Sequence, residues 1–95
     1  MPSATPGTPQ AIEERLRRGL QPIHLAIVDD SARHAGHAGA AAGGGHYSVL
    51  VVAGIFEDRA RVARHRMVYD LLADLMPGAI HALALKTLAP SEWSG

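Results

Sequence analysis

No cysteine occurs in this chain of 95 residues. It can offer neither a disulfide nor a thiolate of its own, and any metal it holds must be taken through nitrogen or oxygen. Net charge is missing too, because nine basic and nine acidic residues balance when histidine is counted neutral. A polyanion meets no global attracting field, which argues against DNA as the main partner, since nucleic-acid binders usually show a basic face or stripe. No apolar run approaches the roughly 18 residues a membrane helix needs, and no signal-peptide pattern precedes the first helix. No membrane association is therefore expected, and the cytoplasm is the expected location. There is no nucleophile beside a base, no pair of carboxylates in a predicted cleft, and no phosphate loop. Asp29 and Asp30 are adjacent, so in an extended segment they point to opposite sides and do not form an acid–base pair. An enzyme is not expected.

What the chain has in excess is histidine, six in all, and imidazole is the commonest metal ligand. The length suits one domain with a single modest core. Residues 1–8 are small residues and prolines that cannot bury enough apolar area to offset their ordering, so a disordered leader is expected, followed by one domain over 9–95. Thr8 is placed to cap the first helix and Pro9 to occupy its first position. Ile12, Leu16 and Leu20 recur every four residues among charged neighbours, which predicts a helix from about Pro9 to Leu20 with a solvated outer face. Gly19 and Pro22 punctuate its end.

Ile23 to Val28 reads as the first strand, closed by Asp29, Asp30 and Ser31. The stretch Ser31 to Gly45, rich in alanine and glycine, is a long loop carrying His34 and His37. His46 to Ala53 is the second strand. A helix is predicted from about Ala60 to Met76, with Val62, His65, Val68, Tyr69, Leu72, Leu75 and Met76 on one stripe and Pro77-Gly78 as its stop. Ala79 to Leu88 follows as a third strand too apolar for a wet face. Pro90 to Trp93 forms a terminal turn of helix.

The expected fold is α+β, in the order α-β-β-α-β-α, with helices packed on one face of a three-stranded mixed sheet. The first two strands pair antiparallel, and the crossover through the long helix makes the third parallel to the second. Parallel neighbours start at the same end of a sheet. The histidine-bearing loop feeds the second strand and the helix feeds the third, so His34, His37, His46 and His81 are expected along one edge. Plainer readings compete for four of the six histidines: His65 as a packed core residue, His24 as an ordinary strand residue, His46 as a strand-edge ring resting on a neighbour, His37 as mere loop.

Several blocks together resemble the BolA family. They are Ile12-Glu-Glu-Arg-Leu16, Val28-Asp-Asp-Ser31 with His34 beyond it, His46-Tyr-Ser-Val-Leu-Val-Val52, Phe56-Glu57, Arg64-His-Arg-Met-Val-Tyr69, Leu72-Ala-Asp-Leu75, Ile80-His-Ala-Leu-Ala-Leu85 and Pro90-Ser-Glu-Trp93. The resemblance implies a fold similar to a type II KH module. It also implies a monothiol glutaredoxin partner and a bridging 2Fe-2S cluster serving iron-sulfur trafficking or iron regulation. In that family picture the glutaredoxin and its glutathione each give a thiolate, and the BolA-like chain gives a ligand from the loop after the first strand and the histidine opening the third. Those positions match His34 and His81, with His37 and His46 as alternative ligands. Neutral nitrogen donors reduce net negative charge and raise the reduction potential, as in Rieske centres. No cofactor is expected on the isolated protein, which is expected to be a monomer.

Two departures from the family pattern stand out. A glycine common two residues after the phenylalanine of the turn is Asp58 here, so a different backbone is expected at the start of the long helix. The loop also carries the additional His37.

A competing expectation is a nucleic-acid-binding transcriptional regulator using the KH-like fold. KH modules clamp the nucleotide backbone with a GXXG loop. Here the only such motif, Gly36-His-Ala-Gly39, lies in the loop after the first strand and has no basic residue. The nearest basic cluster is Arg59, Arg61, Arg64 and Arg66, which equally suits a partner-protein surface or a solvated face. A plain histidine site for zinc is a third reading.

Overall fold

In the computed structural model of the protein, residues 7–30, 45–76 and 78–94 are described. The leader up to residue 6 lies outside them. So does the segment 31–44 with His34, His37 and the Gly36-to-Gly39 motif.

Helix α1 spans Thr8–Leu20 and buries Ile12, Leu16 and Leu20 along one stripe. Thr8 does not cap it. Gly7 is the N-cap residue, without a side-chain bond, and Thr8 is already helical. On the outer face Arg17 Nε donates to Glu13 at 2.9 Å and Arg18 Nη2 to Glu14 at 3.3 Å, pairs at helical spacing worth about 0.3–0.5 kcal/mol each. Gly19 is not the stop either. The helix ends because Gln21 turns left-handed at φ 49° and its N–H returns to the Arg17 carbonyl. Gly19 serves packing instead: a Cβ there would lie 2.6 Å from the Leu71 methyls, so its bare backbone lets the neighbouring helix approach.

Strands β1 (His24–Asp29) and β2 (Gly45–Val52) pair antiparallel, from His24 opposite Val52 to Asp29 opposite Tyr47. Strand β3 (Ile80–Leu88) runs parallel to β2, and the sheet order is β1-β2-β3. The crossover is helix α2 (Arg61–Leu72), which tightens into a 3-10 turn over Ala73–Leu75, so the predicted long helix is shorter in its α-helical part. A further 3-10 turn, Pro90–Glu92, ends the domain. Both helices lie against one side of the sheet, where Ile12, Leu16, Val51, Phe56, Val68 and Leu72 form the centre of the core. This is the expected α+β architecture.

Two details of burial differ from the sequence pattern. Val62, predicted on the apolar stripe of α2, is 71% exposed; the buried row is Arg64, Val68 and Leu72, spaced by four. Strand β3 was expected to be dry on both sides, yet His81, Ala84 and Lys86 are exposed. The reason is that both helices pack on the same face, so Ala84 and Lys86 have no layer above them, while His81 is the residue left over by the register shift against β2.

Asp58 corrects a third expectation. It adopts φ 62°, the left-handed conformation that glycine takes without strain. The aspartate therefore keeps a glycine-type turn rather than a different backbone. Asp58→Gly is expected to stabilise the domain by about 0.5 kcal/mol, because relief of left-handed strain exceeds the extra entropy of an unfolded glycine. Urea denaturation reads the effect, and a lower midpoint would show that the turn is not held this way.

Candidate metal centre

Strand starts and strand ends converge at one edge of the sheet. Ile80 is fully buried and anchors the first residue of β3, while Gly45 donates its N–H to the Ala79 carbonyl at 3.0 Å. Gly45 pairs with Ile80, but His46 pairs with Ala82. His81 is thus the extra residue of a bulge, a device that redirects a side chain at a sheet edge. On the other side of β2, Asp30 donates its N–H to the His46 carbonyl at 2.7 Å, and Ser48 Oγ donates to the Asp30 carboxylate at 2.5 Å. The end of β1 is thereby fixed beside the start of β2.

The outcome is a pair of imidazoles. The rings of His46 and His81 lie 5.3 Å apart between centroids with planes tilted by 45°. His81 is exposed and His46 half-buried. Two imidazoles on one tetrahedral metal at M–N distances of about 2.0–2.1 Å would put their ring centres roughly 5 Å apart. The separation therefore fits joint ligation of a single ion. Among the described residues no group of three or more histidine, cysteine, aspartate or glutamate side chains could hold a metal. The described residues thus place two imidazoles at this edge and no set of three candidate ligands.

His34 and His37 lie outside the described residues. The segment that carries them leaves the sheet at Asp30 and returns at Gly45, both at this edge. His24 is at the opposite end of the sheet, where its ring stacks on Trp93 at 4.8 Å. His65 is half-buried on α2 rather than fully packed.

The basic cluster is divided by burial. Arg59, Arg61 and Arg66 are exposed, but Arg64 is 8% exposed and does not belong to a free surface. Its Nε donates to the Arg59 carbonyl at 2.8 Å and its Nη1 to the Thr87 carbonyl at 3.1 Å. The guanidinium also forks onto the Glu92 carboxylate at 2.7 and 3.3 Å and lies 5.9 Å from the centre of the Phe56 ring. Glu92 in turn accepts the Ala89 N–H at 2.8 Å, and Glu57 holds the N–H and hydroxyl of Ser91. Much of the Phe56-Glu57, Arg64 and Pro90-to-Trp93 signature is thus a structural clasp joining the turn, α2, β3 and the terminal turn. Sequence reasoning placed Arg64 with the surface arginines, although its spacing of four from Val68 and eight from Leu72 already put it on the inward row.

The same clasp gives acid sensitivity a sign. The Arg64 guanidinium, and after it the Ala89 N–H, holds the Glu92 carboxyl below the ordinary value of 4.5; Arg15 does the same for Asp74 across the α1–α2 contact. A carboxyl with a depressed folded pKa contributes stability above its unfolded pKa, lost as pH falls through the folded one. Thermal midpoints should hold steady from about pH 7 to about pH 5 and drop below about pH 4.5, with a shallower drop in Glu92→Gln. An equally steep acid limb in that variant would remove Glu92 from the account.

Comparison with known proteins agrees with the resemblance. A model of the BolA-like protein family matches residues 16–92. An Escherichia coli protein named DNA-binding transcriptional regulator BolA is 41% identical over 86 residues, covering 90% of this chain and 79% of that one. The Arabidopsis thaliana SufE-like protein 1 is 36% identical over 86 residues that make up 85% of this chain and 23% of its own, so the chain spans about a quarter of that relative. The solved structure of BolA1 from Arabidopsis thaliana superposes with a TM-score of 0.82 at 36% identity, covering 96% of this chain and 100% of that one. The family carries the names of a regulator and of BolA-like proteins, not of an enzyme. With fold, sequence blocks and solved relatives in agreement, the chain belongs to the BolA-like family.

Proposed function

We propose that this protein is the partner of a monothiol glutaredoxin, and that the two share a bridging 2Fe-2S cluster in iron-sulfur trafficking or iron regulation. What carries this reading is the 5.3 Å separation of the His46 and His81 rings at an exposed sheet edge. A chain without cysteine that presents two imidazoles and, among the described residues, no set of three candidate ligands suits a shared cluster better than a resident one. Glutaredoxin and glutathione supply the thiolates. His81 gives one nitrogen, and the second comes from His46 or from His34 or His37 of the segment bounded by Asp30 and Gly45. Bound there, the cluster supplies electron transfer or a transferable iron-sulfur unit. The protein's own part is to hold its rings neutral and oriented, since a protonated imidazole cannot donate. The decisive experiment is anaerobic co-purification with a monothiol glutaredoxin, followed by iron and sulfide analysis and visible circular dichroism. A brown heterodimer whose spectrum differs from that of the glutaredoxin homodimer is expected. A colourless complex, or the homodimer spectrum alone, overturns the reading.

A second reading is supported by the name of the Escherichia coli relative, a DNA-binding transcriptional regulator. Arg59, Arg61 and Arg66 are the exposed cations available for phosphate contacts in the cluster. Binding that persists at physiological salt, and weakens when these three are reversed in charge, favours this reading; its absence counts against it.

A further inference from the structure

Both helices lie on one side of the sheet, and among the described residues the other side has no layer over it. Ala26, Val28, Ser48, Leu50, Ala84 and Lys86 line a shallow hollow there that is almost wholly apolar. Val28 is 52% exposed, and Ala84 and Lys86 are exposed as well. Strand register arranges the six in two rows: Val28, Ser48 and Ala84 in one, Ala26, Leu50 and Lys86 in the next. Tyr47, Val49 and Val51 point into the core, so His46, Ser48 and Leu50 share the open face. The apolar rows therefore begin where the His46–His81 pair ends. The stack of Trp93 on His24 marks the far end.

Lys86 is the only lysine in the chain. Among the described residues it has no ion pair, and none of the other residues lining the hollow is acidic. An apolar patch with a single unpaired cation favours a complementary surface that is apolar and carries one carboxylate. A second copy of this chain fits badly. Whichever two-fold axis relates two such faces, each copy must bury the other's ammonium against a patch without a counter-charge.

We propose that this open sheet face is the docking surface for the cluster-sharing partner, which covers it with a compact apolar patch and sets a carboxylate against Lys86. The inference rests on the reading of His46 and His81 as shared ligands, because the patch is continuous with that pair. A partner seated here brings its thiolates to the histidine edge and keeps water from its flank.

The test titrates the full-length protein, without cluster, against a monothiol glutaredoxin by calorimetry, and reads the reconstituted cluster separately by circular dichroism. Lys86→Glu is expected to weaken cluster-free docking about ten-fold or more, and Lys86→Arg to keep it within about three-fold. His81→Ala should dock like the wild type while losing the cluster. Reductive methylation of the single lysine should be fast in the free protein and slow in the complex. Unchanged docking by Lys86→Glu, in a system where the wild type still assembles its cluster, overturns the docking face and leaves the cluster reading intact. Lysine-dependent docking with no cluster in the wild type does the reverse. Protection of Lys86 in the free protein also overturns the inference: growing with concentration it identifies a second copy as the occupant, and at all concentrations the chain itself.

Discussion

His81→Ala is expected to strip the proposed shared cluster from a complex with glutaredoxin while leaving the fold untouched. Loss of a directly coordinating ring should exceed the ten- to hundred-fold effects typical of mutating outer-shell partners, so retention is expected to fall by about a hundred-fold or more. Stability should change by less than about 0.5 kcal/mol, because His81 is an exposed bulge residue. His46→Ala separates the alternatives for the second nitrogen. If His46 is that ligand, its removal matches His81→Ala. If residue 34 or 37 supplies the nitrogen, His46→Ala retains most of the cluster, and the loss appears in His34→Ala or only in the His34→Ala/His37→Ala double variant. Visible circular dichroism of the co-purified complex reads each case. A wild-type spectrum in His81→Ala would end the assignment, and unfolding of that variant would return His81 to a structural role.

Arg64→Leu is expected to destabilise the domain without touching the histidine edge. The leucine replaces part of the buried stem but removes every donor to the Arg59 and Thr87 carbonyls and leaves Glu92 without its cation. Stranding a buried carbonyl costs about 1–3 kcal/mol, and losing the ion pair to the exposed Glu92 adds a smaller amount. Because the Glu92 side chain is 46% exposed, solvent recovers part of the loss on that side. A net destabilisation of about 2–4 kcal/mol is expected, lowering the melting temperature by on the order of 10–20 °C in a domain of this size. Arg64→Lys should rescue only part of it, since an ammonium cannot span three acceptors as a planar fork does. Arg61→Leu and Arg66→Leu, both at exposed positions, should stay within about 0.5 kcal/mol of wild type. If all three leucine variants melt alike, the clasp contributes nothing and Arg64 rejoins the surface set.

Local pattern carried the architecture a long way. The spacing of Ile12, Leu16 and Leu20 and the branched centre of β2 are short-range signals, and a backbone obeys them wherever no partner intervenes. Connectivity did the rest. A helix between two strands makes them parallel, parallel neighbours begin at one end, and so His46 and His81 share an edge. Other features depend on residues far away in the chain. Arg64 is buried because Thr87 and Glu92, 23 and 28 residues on, supply its acceptors. Gly19 matters because Leu71 lies against it, and Asp58 turns left-handed because the chain must pass from Phe56 into α2 at that point. The one-residue slip that brings the His81 ring close to His46 belongs to the pairing of β2 with β3. Period and punctuation in the sequence thus determined which elements form and how they connect. Tertiary packing alone decided which polar groups are enclosed, which sheet face stays open and which imidazoles meet, because each of these depends on what lies opposite a residue rather than beside it.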